Sequence, residues 1–327
     1  MAAVVTATEV VHEDLSDELI QADVRNTPLT SRMRKGDKLS NMEFSWPLET
    51  LGARQVTPPA ENADVTTYEG DTESRAYNRG QRFWRQPRTS VISNRINNTA
   101  GDFGKQAHQV KKKVIDQKRD IEYVVLSAQL SAVDTGTVGT KMMGIGAAVN
   151  DGTIVWTDAL TTPPVGYRTP TAQIYTGTLA TFDETAFAAI LKNRFDALGM
   201  TTELTLFAGS ALKNQISTLF GKYKPNVANY TVVVRTEAQA IDSRKFAGYG
   251  VDMYEGDFGS FDIVTDPWMP DQKFGYGLNM ELIQMRPGYY CEVADLPYMG
   301  GGDSALVDSI LGFEYGDART HFKIAAT

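Results

Sequence analysis

Apolar residues recur at helical spacing over one long stretch, Asn98 to Leu130, and the rest of the chain reads as arranged around it. At 3.6 residues per turn, Phe103, Ala107, Val110, Val114, Ile121, Val125 and Ala128 fall on one stripe, while Lys105, Lys112, Asp116, Arg119 and Asp120 fall on the far side. Thr99 or Asp102 is placed to cap the start by accepting a backbone N–H. Lys112/Asp116 and Lys118/Glu122 are spaced four apart, each pair worth about 0.2–0.5 kcal/mol. The spacing predicts a rod of roughly 27 residues and about 40 Å, long against the roughly three turns of an average helix.

Before that rod the periodicity is different. Residues 1–42 lack an amphipathic period, and Pro28, Gly36 and the polar run TSRMRKGDKLS predict an extended arm. MEFSWPL alternates, with Met42, Phe44 and Trp46 on one side until Pro47 stops the pattern. A long polar tract with turns at Pro58-Pro59 and Gly70 follows. VTTY and SVISNRI read as strands on either side of an arginine run. After the rod come a glycine-rich return (133–152) and a Thr/Pro-rich segment (161–177) that reads as a surface loop.

Residues 181–320 read as mixed α/β. Thr181 and Glu184 fit a capping box for a helix that ends at Gly199, with Phe187, Ile190, Leu191, Arg194, Phe195 and Leu198 on its inner stripe. ELTLFA, TVVVRT, VDMYEG and SFDIVTD read as strands, and Ser210 opens a second helix with Leu212, Ile216, Leu219 and Phe220 inside. YGLNMELIQMR (276–286) reads as one long strand, Gly300–Gly302 as a flexible break, and LVDSILGFEYG as a last strand pair. The fold class is therefore α+β.

Composition narrows the function. The 327 residues are 42% hydrophobic and 22% charged, enough for one large or two smaller cores. Mean hydropathy is −0.28, and no apolar run reaches the length of a membrane span. The start, MAAVVTATEVVHEDL, has no basic flank and turns acidic at Glu9, unlike a secretory signal. The lone Cys291 excludes an internal disulfide framework. Net charge is −8, against a dedicated nucleic-acid coat.

That charge is unevenly placed. Met1–Val24 carries six acids (Glu9, Glu13, Asp14, Asp17, Glu18, Asp23) and no lysine or arginine. Ser74–Gly101 carries six arginines (Arg75, Arg79, Arg82, Arg85, Arg88, Arg95) and no acid, and Ala247–Gln272 again six acids and no base. Segments of opposite sign suit self-assembly, one copy's patch meeting another's; solvated surface is the plainer alternative. The subunit-contact candidates are Arg75, Arg79, Arg82, Arg85 and Arg88, then Lys112, Lys113, Asp116 and Arg119 on the rod, and Glu13, Asp14, Asp17 and Glu18 in the arm.

No catalytic, cofactor or metal site emerges. His12, His108 and His321 are far apart and lack metal-ligand spacing. There is no phosphate-binding loop, and Gly144-Ile-Gly146-Ala-Ala-Val149 lacks the third glycine of a dinucleotide fingerprint, so it reads as a turn. Cys291, in YYCEV, reads as a buried structural thiol. RGQRFWRQPR (79–88) interleaves arginines with Phe83 and Trp84, which supports an alternative reading as a nucleic-acid-binding protein using residues 75–95.

The order of elements, with EFSWPLETL (43–51), EGD (69–71), RTSVISNRINNTAG (88–101), KRDIEYVVLS (118–127), YEGDFGSFDIVTDPWMP (254–270) and LIQMR (282–286), resembles the major capsid proteins of tailed double-stranded-DNA bacteriophages, of Hong Kong 97-type fold. The resemblance implies a map: an arm at 1–42, an extended β-loop at 43–92, a peripheral domain at 93–179 with its spine helix at 98–130, an axial domain at about 180–270, and a return to the peripheral domain at 271–327. It implies a non-enzymatic protein without cofactors. Its copies would form hexamers and pentamers of an icosahedral head, assembled in the host cytoplasm around double-stranded DNA contacted non-specifically. The expected partners are further copies, a portal, and scaffolding or decoration proteins, with no membrane. Some such proteins cross-link through a lysine of the extended loop; residues 39–104 hold none, so no ladder of that type is expected on a denaturing gel. Only about 42 residues precede the loop, so a separate scaffold or none, and an uncleaved chain, are expected, to be checked by intact mass.

Overall fold

The computed structural model describes residues 26–327 apart from 53–55, 57, 59, 63, 65–72, 96–104, 151–152, 200–202, 222–251, 257 and 299. Glu13, Asp14, Asp17, Glu18, His12, the Thr99/Asp102 cap, Phe103, and the strands expected at VTTY and TVVVRT lie outside the described residues.

The rod is a 21-residue helix, Gln106–Leu126, about 32 Å long. For orientation, the helices are α1 (Pro28–Arg32), α2 (Val91–Arg95), α3 (the rod), α4 (Ile145–Ala148), α5 (Glu184–Leu198) and α6 (Ser210–Gly221). The rod's inner face is more polar than the stripe predicts. Ile121, Val125 and Leu126 are buried as apolar positions should be, but Gln117 and Glu122 are buried with them, and Ala107 and Ala128 are exposed. Gln117 Nε2 donates to the carbonyls of Phe83 at 2.7 Å and Val307 at 3.2 Å. Glu122 turns inward to backbone amides of α1 rather than outward to Lys118.

Under the rod lies a six-stranded sheet. Its strands are β1 (Arg34–Lys35), β2 (Glu43–Glu49), β3 (Glu73–Arg85), β4 (Arg88–Ser90), β10 (Gln284–Asp295) and β11 (Gly302–Glu314), in the order β1-β10-β11-β3-β2 with β4 also on β11. Three local expectations change here. β2 runs through Pro47, which pairs with Arg75; β2 is the sheet's edge, so the missing N–H interrupts no ladder on the outer side. The arginine run is itself the 13-residue strand β3. VISNR leaves the strand after Ser90 and closes into α2, whose amide at Ser93 bonds the Ser90 hydroxyl.

A second sheet collects β5 (Ile174–Tyr175), β6 (Leu204–Ala208), β7 (Met253–Gly256), β8 (Gly259–Thr265), β9 (Phe274–Leu278) and β12 (Phe322–Ala325), in the order β5-β12-β9-β6-β8-β7. The 276–286 segment is not one strand. A turn at Asn279, where Leu282 N–H bonds the Asn279 carbonyl and Glu281 N–H its side chain, carries the chain from β9 in one sheet to β10 in the other. So the tract 271–327 serves both sheets: β9 and β12 join the second. Gly302 opens β11, after Gly300 and Gly301 turn the hairpin at φ 75° and 80°. The expected last strand pair is one 13-residue strand.

Two apolar cores form, and the second sheet borders both, since Phe207 of β6 and Tyr276 and Leu278 of β9 join the first. Trp46, Phe83, Ile121, Val125, Leu126, Met142, Met143, Phe313 and Tyr315 fill the first, and Phe187 is central to the second, with Phe182, Tyr254, Phe261 and Phe322 at 5.1–6.5 Å in edge-on contacts. α5 covers the second core through Phe187, Ile190, Leu191 and Arg194, as the stripe predicts. Its cap is Asp183, two residues later than expected, and Gly199 closes it at φ 64°. The Gly144–Val149 segment is not a turn but the buried one-turn helix α4, seated on the end of α3: Gly146 N–H bonds the Ser127 carbonyl at 3.1 Å, and a Cβ on Gly144 would lie 2.3 Å from that oxygen. The Thr/Pro segment is a packed strap, not a surface loop. Thr161, Tyr167, Thr169 and Gln173 are buried, with Tyr167 Oη donating to Leu48 O and Thr169 Oγ1 to Ala318 O.

Candidate subunit-contact surface

The arginines of β3 and β4 meet different fates. Arg79 is buried, reaching Glu43 at 2.9 Å and pairing with Asp158, so it is committed within its own subunit and drops out of the exposed set. Arg82 forks onto Asp308, and Tyr289 Oη donates to the same carboxylate at 2.8 Å. Burial pushes the Asp308 carboxyl up, but Arg82 and Tyr289 outweigh it and hold it below the usual range. Arg85 forks onto Asp120 of the rod at 2.6–2.7 Å. These bonds raise both guanidinium groups. Both pairs are partly exposed, worth about 1 kcal/mol or less. Arg75 and Arg88 stay exposed, and Arg88 donates to the Gly300 carbonyl of the hairpin turn at 2.8 Å.

On the rod, Asp116 pairs with Lys113 at 2.7 Å and with Arg119 at 3.6 Å, rather than with Lys112. Arg119 also lies 4.4 Å above the Trp268 ring. Arg85, Asp116, Arg119, Asp120, Tyr123 and Trp268 together line one shallow groove on the side of the rod. Phe83 and Trp84 point to opposite faces of β3, Phe83 into the core and Trp84 outward, so they do not form a joint stacking platform. Asp120, Asp158 and Asp308 were not signalled by the sequence as partners of these arginines; the packing of β3 against α3 and β11 brings Asp120 and Asp308 within reach, and Asp158 comes from the segment that follows α4.

Two chemically interesting side chains, His321 and Cys291, sit in structural settings. His321 is fully buried: Nδ1 accepts from Asn279 N–H at 3.1 Å and Nε2 lies 2.8 Å from the Tyr315 carbonyl. Burial pushes it down to about 4, so it is neutral. Cys291 sits at a bulge of β10 with φ 50°, and burial raises its thiol. Among the described residues no cluster of His, Cys, Asp and Glu has the arrangement of a metal site, and no helix is long and apolar enough to cross a membrane.

Three solved structures share this architecture. The cyanophage A-1(L) capsid asymmetric unit superposes with TM-score 0.69 at 13% identity, covering 97% of each chain. The capsid of the native GTA particle gives 0.63 at 11%, covering 98% of this chain and 96% of the other. The capsid of Myoviridae phage XM1 gives 0.57 at 10% over the whole of both chains. They establish the fold as the Hong Kong 97-type capsid fold. No curated protein sequence matches this chain. The SU10 major capsid protein profile, however, matches residues 3–327. A fold of two sheets braced by one charged rod, surfaces rich in paired charge and a family match along nearly its full length lead to one identification: the chain belongs to the SU10 major capsid protein family and is a structural subunit of a phage head shell.

Proposed function

We propose that copies of this subunit assemble as hexamers and pentamers of an icosahedral head enclosing double-stranded DNA, built in the host cytoplasm, with a portal and scaffolding or decoration proteins as further partners. The family match over residues 3–327 carries the reading. Its work is mechanical and non-enzymatic: burial and charge pairing between copies hold the shell against its contents. Residues 1–42 serve as the arm and 43–92 as the extended loop over a neighbour. The first sheet with α3 is the peripheral domain and the second sheet the axial domain.

Exposed Arg75 and Arg88, half-buried Lys112, and the groove of Arg85, Asp116 and Arg119 supply charged contacts, with Glu13, Asp14, Asp17 and Glu18 of a neighbouring arm as their acidic counterparts. Arg82 is already occupied by Asp308, which leaves it a smaller share. Negative-stain microscopy of the purified full chain, expressed with its own phage's scaffold where one exists, tests the proposal. Uniform closed shells are expected. Monomers that bind DNA with a steep salt dependence would instead favour the nucleic-acid reading.

A further inference from the structure

Two buried carboxyls from distant parts of the chain meet where the arm joins the subunit. Glu122, on the inner face of α3, accepts from the first amides of α1: Leu29 N–H to Oε1 at 2.6 Å and Thr30 N–H to Oε2 at 2.8 Å. Asp266, just after β8, accepts from Trp268 N–H through Oδ1 at 2.9 Å. Its Oδ2 is buried, receives no hydrogen bond from a donor among the described residues, and stands at hydrogen-bonding range of the Glu122 carboxyl. The same loop grips the arm a second time, since Trp268 Nε1 donates to the Asn26 carbonyl at 2.8 Å. Two ionised carboxylates in that position would repel each other and leave Asp266 Oδ2 without a donor. One proton resolves both: a neutral Glu122 donates its O–H to Asp266 Oδ2 and still accepts the two α1 amides through its remaining lone pairs.

We infer that Glu122 and Asp266 share one proton, and that this proton latches α1 and the arm onto the spine helix, its loss to solvent releasing them. The surroundings favour the shared form. α1 presents backbone amides to the pair, its basic Arg32 being exposed in its last turn. β10 presents Tyr290 and Cys291, both raised first of all by burial and therefore neutral. On α3 itself the neighbouring cations are Lys118, whose charge acts on Cys291, and Arg119, which is engaged over Trp268. The 266–268 loop brings only Asp266. Burial pushes the Glu122 carboxyl up, Thr30 pulls it down, and Asp266 pushes it up again, leaving it raised to about 8. A carboxyl raised in the docked state binds its proton there more tightly than when released. The latch is therefore strongest below the ordinary carboxyl range and is lost as pH rises through about 8.

The inference concerns the single subunit and stands apart from the shell contacts proposed above. Hydrogen exchange of a peptide spanning 27–33, measured on the purified full chain from pH 6 to 9 and corrected for intrinsic rate and for a reference peptide in β11, tests it. Protection of the wild-type peptide is expected to fall by up to about tenfold per pH unit as the pair loses its proton. E122Q is permanently neutral and can still donate to Asp266. D266N removes the opposing charge. E122Q is expected to give a flat profile. In D266N burial still raises Glu122, but without the Asp266 charge it titrates lower, so the fall is expected at lower pH than in the wild type. A flat wild-type profile overturns the inference, and so does a wild-type slope in E122Q or an unshifted profile in D266N; the wild-type arm decides even if a variant fails to fold.

Discussion

His321 shows how one residue acquires a property that its neighbours in sequence do not suggest. It lies between Asn279 N–H and the Tyr315 carbonyl, with Gln173 and Arg194 close by on the same buried tract, Arg194 Nε bonding the Thr320 carbonyl at 2.9 Å. Charging the ring would convert an acceptor of the Asn279 amide into a donor facing a donor. With the folded value near 4 and an unfolded value near 6.5, the neutral ring contributes stability that is whole above about pH 6.5 and is lost as pH falls towards 4. The loss is about 3 kcal/mol at most, by linkage. Urea denaturation of the unassembled subunit at pH 7.5 and pH 4.5 checks it, and H321Q is expected to lose most of the His-dependent part of the slope. In the sequence His321 reads as a lone histidine without metal-ligand spacing. Its burial was not legible, because the residues that enclose it come from four separated segments.

At the level of elements, periodicity reads well where one face meets one core. α5 buries Phe187, Ile190, Leu191 and Arg194 of its stripe and α6 buries Leu212 and Ile216, and β6 to β8 lie where their alternation puts them. The failures share a cause. The 276–286 run is apolar enough for one strand, but the two sheets need different stretches of it, and Asn279 supplies the local hydrogen bonds for the break. The Thr/Pro strap has a loop's composition, yet its hydroxyls satisfy carbonyls of β2 and of the C-terminal tract. The rod's inner face contains Gln117 and Glu122 because it rests on strand carbonyls and helix amides as well as on side chains. Gln117 is the sharpest case, its amide bridging β3 and β11. Q117L keeps the size and helix propensity and removes the donor to two buried carbonyls. It is expected to destabilise the subunit by about 1–3 kcal/mol, seen as a lower denaturation midpoint with an unchanged m-value. An unchanged midpoint would mean that the bridge contributes nothing net.

The whole molecule is a pair of sheets around two cores, the first of which takes residues from both sheets, crossed by a chain that enters the second sheet at β5, leaves it at β9 and returns at β12. Resemblance to phage capsid proteins was legible from scattered local segments, but the candidate contact surface was only half legible. Charge runs in sequence marked the basic segment, but strands were expected only on either side of it, and the runs did not reveal that pairing inside the subunit withdraws Arg79 and occupies Arg82 and Arg85. Within the proposed contact set, Arg75 and Arg88 are the arginines this pairing leaves exposed, and they separate folding from assembly. Arg75 and Arg88 are exposed at opposite ends of the β3–β4 region, where reversing charge disturbs no core. The double variant R75E/R88E is therefore expected to melt within about 0.5 kcal/mol of the parent as an isolated subunit. If these arginines meet acidic segments of neighbouring copies, as proposed, the same variant assembles into far fewer shells at low salt, where like charges now face one another. Raising the salt should narrow the gap between variant and parent, because screening removes both the attraction in one and the repulsion in the other. Equal shell yields at low salt, read by sedimentation and microscopy, would show that the basic patch is solvated surface and that apolar burial alone drives assembly.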